Sequence, residues 1–154
     1  MIGESQLDQS TLHLLHRARQ CAGELFQSQM AGVNLTARQY VVLVAAAHKD
    51  GSSQQDIIDY TGIDRSTVSQ VMQTMIRKGL LKRQRTQEDA RTYAITLTPL
   101  GEDVLKASEP IVGRVDEALV AALPATQASA FLECLRIIVG SFDGVGNVGN
   151  KVSF

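Results

Sequence analysis

Two short helical segments between residues 53 and 79, joined by a single tight glycine turn, restrict this chain more than any other feature. Ser53 offers an N-cap oxygen, and Asp56, three residues on, stands in the capping-box position. Ile57, Ile58 and Tyr60 supply the first segment with apolar contacts. Gly62 suits the left-handed conformation that closes a helix, since a residue without Cβ takes positive φ at no steric cost. Ile63 plugs the corner. Asp64 caps a second helix, which runs from Arg65 to about Lys78 and stops at Gly79.

Residues 80–87 and 92–98 then read as strands around the polar tip 86–91. In the second, Tyr93, Ile95 and Leu97 alternate with Ala94 and Thr96. Helix, tight turn, helix and hairpin is the order of a winged helix-turn-helix, whose second helix enters a major groove N-terminus first. The expected fold is mainly α with a small β-hairpin wing. Helical periodicity turns Val68, Met72, Met75 and Ile76 inward and leaves Arg65, Ser66, Ser69, Gln70 and Gln73 outward. Arg, Gln and Ser are side chains that hydrogen-bond base edges and phosphates. Thr67, Arg77 and Arg85 complete this candidate set.

Charge separates that reading from an ordinary solvated helix face. The whole chain of 154 residues has a net charge of −1, which by itself argues against a nucleic-acid partner. Residues 65–91, however, hold seven basic residues against Glu88 and Asp89, a balance of +5 that leaves −6 for the remainder. A basic module in an acidic body is what phosphate neutralisation at one face needs. With aromatics at 5% and no Trp, a stacking platform for single strands has little material. Double-stranded DNA is the expected partner.

The flanks read as dimerisation helices. One helix is expected over 7–30, with Leu14, Ala18, Cys21, Ala22 and Leu25 as its apolar stripe and His13, Arg17, Gln20 and Glu24 opposite. Thr36 caps the next, near 37–48, with Tyr40, Val41, Leu43, Val44 and Ala47 on its apolar side. Pro99 opens a long helix to about 123 and Pro124 a final one, where Phe131, Leu132, Leu135, Ile138, Val139 and Phe142 recur at helical spacing. That apolar surplus exceeds what a monomer with a separate lobe core can bury, so a C2 homodimer is expected. The resulting division is 1–34 N-terminal dimerisation helix, 35–98 DNA-binding lobe, 99–142 C-terminal dimerisation helices and 143–154 flexible tail.

The stretches Leu35-Thr36-Ala37-Arg38-Gln39-Tyr40, Gly62-Ile63-Asp64-Arg65-Ser66-Thr67-Val68-Ser69, Asp89-Ala90-Arg91 and Leu97-Thr98-Pro99-Leu100-Gly101 together resemble the MarR family of transcriptional regulators, over about 7–142. The resemblance implies a homodimer with interlocked terminal helices and two winged lobes on a pseudo-palindrome. It implies that Arg91 reaches a minor groove while Asp89 orients the wing. It also implies a small effector, often an aromatic acid or related compound such as its CoA thioester, held between the dimer helices and the DNA lobe. Arg17, then His13 and Arg38, are the candidates, since a guanidinium can hold a carboxylate bidentately.

Other switches and classes have weaker footing. His13 and His16 lie three apart on one helix, but no Cys or carboxylate cluster joins them, so no metal or cofactor is expected. Cys21 offers a redox alternative, yet it sits on the apolar stripe and reads, like Cys134, as a small buried hydrophobe. The sequence has no nucleophile elbow and no Gly-rich phosphate loop, which speaks against an enzyme. A winged-helix protein-interaction module predicts no charge segregation. No signal peptide and no 18-residue apolar run is visible, and two distant cysteines fit a reducing compartment, so a cytoplasmic protein is expected.

Overall fold

The computed structural model describes residues 4–87 and 92–144. Its elements are α1 (Glu4–Asp8), α2 (Thr11–Gln29), α3 (Ala37–His48), α4 (Gln54–Thr61), α5 (Arg65–Arg77), β1 (Leu81–Arg85), β2 (Tyr93–Leu97), α6 (Pro99–Ala121) and α7 (Ala128–Phe142). The strands form one antiparallel hairpin, with Leu81 opposite Leu97 and Arg85 opposite Tyr93. The fold is therefore mainly α with a small wing, in the expected order.

Side-chain oxygens set most helix starts. Thr36 accepts from the Gln39 amide at 3.2 Å, and the Gln39 side chain accepts from the Thr36 amide at 3.1 Å. Ser53 and Asp56 build the same reciprocal box at α4. The helix expected over 7–30 is instead interrupted. Ser10 accepts from the His13 amide at 3.2 Å and starts α2, so α1 ends at Asp8. A serine bonded to a nearby backbone N–H competes with helix continuation. Pro124 does not open the last helix either. A turn closed by the Gln127 amide on the Pro124 carbonyl, at 2.8 Å, comes first, and α7 begins at Ala128.

The core lies where α3, α4, α5 and the hairpin meet. Val42, Leu43, Ile57, Val68, Met75 and Ile95 lose all solvent contact there. Phe26 and Met30, from the end of α2, and Val115 of α6 join the same cluster, so the lobe and its flanking helices share one core. Three expected faces are corrected. On α3 the buried residues are Val42, Leu43, Ala45 and Ala46, while Val41 and Ala47 are exposed. Tyr60 leaves the α4 core and stacks on His48, ring centroids 4.5 Å apart, with about half its surface in solvent. On α2, Leu14, Ala18 and Cys21 are exposed and Phe26 alone is buried, because only the end of the helix reaches the core. Cys134 is exposed as well, so within one copy of the chain neither cysteine is buried.

The junction of wing and α6 depends on close backbone approach. Thr98 donates its hydroxyl to the Gly79 carbonyl and accepts from the Gly101 amide at 3.1 Å. Its own amide bonds the Leu80 carbonyl at 3.0 Å. A Cβ on Gly101 would lie 2.1 Å from that carbonyl oxygen, so this position requires glycine. Among the described residues, no helix is long and apolar enough to cross a membrane.

Candidate nucleic-acid interface

Gly62, at φ 66°, closes α4 in the left-handed region and turns the chain into α5 within three residues. Asp64 accepts from the Thr67 amide at 2.9 Å and from the Ser66 hydroxyl at 2.7 Å. Those hydrogen bonds, Thr67 first and then Ser66, hold its carboxyl well below the ordinary carboxylate range. Asp56 is lowered for the same reason, by Ser53 chiefly and by the Lys49 charge. The start of α5 is thus anchored by a carboxylate whose hydrogen bonds favour its ionised form.

Val68, Met72 and Met75 anchor the inner face of α5, and Ile76 is half-buried beside them. The outer face presents Arg65, Ser66, Gln70, Gln73 and Arg77 to solvent, with Thr67 and Ser69 half-buried. Not all of these are equally free. Ser66 is engaged with the cap, and Arg77 donates to Thr74 Oγ1 at 3.2 Å. Arg65 donates to the Gln55 side-chain oxygen, and Gln55 donates in turn to Asp59 at 2.8 Å. The α4–α5 contact therefore aims the first arginine of the helix. Gln70 and Gln73 remain as exposed amides midway along it.

Two further cations have roles that charge counting did not separate. Lys78 donates to the Asn34 carbonyl at 3.1 Å and to Gln39 at 3.4 Å, tying the end of α5 to the start of α3. It ties these two elements of the lobe together while remaining exposed. Arg83, outside the sequence-derived candidate set, lies 4.7 Å from the Tyr93 ring centroid, and Arg85 lies 5.8 Å from it. The signal was present in the strand alternation, which puts both arginines on the face of Tyr93. Asp89 and Arg91 lie outside the described residues.

His13 and Arg17 line a shallow, solvent-open groove along one face of α2 with His16, Arg19, Gln20, Gly23, Glu24 and Gln27, and no second element walls it among the described residues. Arg17 donates to Gln20 at 2.9 Å, and Gln20 donates to Glu24 at 3.0 Å. Arg38 is exposed on α3 and lies outside this groove, so the three candidate effector residues are not brought together within one chain. Among the described residues no three His, Cys, Asp or Glu side chains converge on a common metal position.

A family model described as "MarR family" matches residues 33–92. The transcriptional regulator HosA of Escherichia coli is 33% identical over 103 residues, covering 67% of this chain and 76% of HosA. The chain belongs to the MarR family. Solved MarR-like structures agree over most of its length. BpsR of Bordetella bronchiseptica, described as regulated in its DNA binding by 6-hydroxynicotinic acid, superposes with a TM-score of 0.81 at 29% identity, covering 88% of this chain and 97% of BpsR. The transcriptional repressor CouR, bound to a 23-mer DNA duplex, gives 0.82 at 26%, covering 90% and 99%. The MarR-family chain is accordingly a winged helix-turn-helix transcriptional regulator, with α4 and α5 as its helix-turn-helix and β1–β2 as its wing.

Proposed function

We propose that this chain is a homodimeric repressor that binds a pseudo-palindromic DNA operator and releases it on binding a small aromatic acid or its CoA thioester. The observation that carries the reading is the outer face of α5, where a carboxylate-capped start and a Gln55-aimed Arg65 precede the exposed Gln70 and Gln73. In this reading α5 lies in the major groove, with Arg65, Ser66, Thr67, Ser69, Gln70, Gln73 and Arg77 contacting bases and phosphates. Arg85 and Arg91 serve the wing, Arg91 in the minor groove, with Asp89 shaping its tip. The DNA duplex bound by CouR supports the class of partner.

The terminal segments 1–34 and 99–142 act as dimerisation helices around the lobe 35–98. Support comes from α7, none of whose residues is buried in the single chain, with Phe131, Leu132, Ile138 and Phe142 exposed. The effector lies along α2, its carboxylate on Arg17 and its ring near His13; Arg38 has no place in that groove unless the partner's lobe supplies it. The aromatic acid that regulates BpsR supports the ligand class. Release follows because half-site spacing must match dimer geometry, and a ligand that prefers another lobe spacing draws the population toward it.

Selection of bound duplexes from a random pool, followed by thermal-shift screening with hydroxylated aromatic acids, their CoA thioesters, peroxide and zinc, tests the reading. A palindromic consensus and an aromatic acid that both stabilises the protein and releases DNA are expected. Release by peroxide alone, abolished in Cys21→Ser, would transfer the switch to Cys21, which is exposed on α2.

A further inference from the structure

The wing changes character along its length. Directly opposed residues of an antiparallel pair share a face, so Leu81, Arg83 and Arg85 lie on one side of the hairpin with Leu97, Ile95 and Tyr93. At the base that face is apolar and buried, through Leu81 and Ile95. Two residues further out it turns cationic, and both guanidiniums gather on the half-buried Tyr93 ring, 4.7 and 5.8 Å from its centroid. Two arginines at i and i+2 on one strand repel each other, and among the described residues neither has a carboxylate partner. The electron-rich face of the ring is the counterweight that lets them share one side of the hairpin.

A ring at these distances attracts the cation without taking up its hydrogen-bond donors, so the N–H groups on each guanidinium edge remain available to an acceptor. Those edges are what a phosphate oxygen binds in a fork. We propose that Arg83 and Arg85 form a clamp for the DNA sugar-phosphate backbone, separate from the wing tip, and that Tyr93 is the positioning residue that holds both arginines in place. The clamp rests on the DNA-binding reading above and adds a backbone contact from the body of the wing. Because it binds phosphate, it acts on every sequence alike and appears in the salt dependence of binding.

The test uses the full-length protein and a labelled mixed-sequence duplex, titrated at several salt concentrations. Replacing both arginines, Arg83→Gln with Arg85→Gln, is expected to reduce the salt slope by about two. Tyr93→Ala is expected to weaken binding roughly tenfold, Tyr93→Phe to bind as the parent does, and Tyr93→Leu to behave like Tyr93→Ala. In the double-arginine background, Tyr93→Ala is expected to cost no further affinity, whereas independent contributions would add. Full binding by Tyr93→Leu would reduce the ring to packing, and loss in Tyr93→Phe would make its hydroxyl the contact. Either result, or additive losses, overturns the clamp. Should Tyr93→Ala fail to fold by circular dichroism, the Phe and Leu variants still decide. If the parent protein shows no salt-dependent duplex binding at all, the DNA-binding reading falls and takes the clamp with it. A parent that binds while the double-arginine variant keeps its slope removes the clamp, and Arg85 from the wing's contacts with it, while the reading of α5 as the DNA-binding helix stands.

Discussion

Residues at the head of α5 divide between holding the helix and facing outward. Asp64 and Ser66 complete the cap, and Arg65 is held by Gln55, so Gln70 is the first outward amide with no such duty. An amide on an adenine edge discriminates by about 1–3 kcal/mol at one base pair. Gln70→Ala should therefore relax preference at a single operator position, read by binding to a set of singly substituted duplexes. A uniform loss across the set would make it a phosphate contact instead. Asp64 carries a different prediction, in pH. Its carboxyl is held below the ordinary range by Thr67 and Ser66, so the folded state binds fewer protons there than the unfolded state. The cap's contribution is complete above the ordinary carboxylate value and is lost as pH falls through the folded value. Asp64→Asn keeps a capping oxygen but cannot titrate. Urea midpoints should match the parent near neutral pH and fall less steeply below about pH 4; parallel decline of the two proteins would mean the cap is not held ionised.

Elements were legible in the sequence where their causes are local. Ser53 with Asp56, Gly62, Asp64 and Gly79 all act within four residues, and each stands in the role its spacing indicates. What escaped has partners far along the chain or none within it. Lys78 counted as one of seven cations, yet it meets Asn34 and Gln39 about forty positions away. The stripe on α2 was legible as periodicity, but periodicity does not say whether the surface that covers it belongs to the same chain. Leu97-Thr98-Pro99-Leu100-Gly101 was legible only as a motif, and the Leu80 carbonyl against Gly101 gives its physical reason. Since the clash is with backbone, no side-chain rotation relieves it. Gly101→Ala should destabilise the protein by about 1–3 kcal/mol, measured as a lowered urea midpoint with unchanged slope. Unaltered stability would mean that wing and α6 separate freely at this junction.

At the scale of the whole molecule, α7 and the groove on α2 pose one problem. A helix whose apolar residues remain in water gains little from forming, because helical stability in proteins comes mainly from packing. With Ile137, Val139 and Phe142 more than half exposed, α7 needs a second surface. Ile138→Glu should therefore convert the proposed dimer to monomer in sedimentation, while the core of Val42, Ile57 and Met75 keeps the lobe folded. A dimer that survives this charge would place the interface elsewhere. The α2 groove is likewise open, lined from one helix only. One helix cannot enclose a ligand, whereas pockets bury most of a small molecule's surface. If the partner copy closes the groove, effector binding and lobe spacing become one equilibrium, and a ligand shifts it only by its difference in affinity between the two spacings. In the proposed site Arg17 creates that difference, since it lies on the exposed face of α2 and, among the described residues, is engaged with an exposed glutamine. Arg17→Lys loses the bidentate fork but keeps the charge. Operator affinity without effector should then be unchanged, while the effector concentration needed for half release rises roughly tenfold. Equal responses in the two proteins would remove Arg17 from the switch.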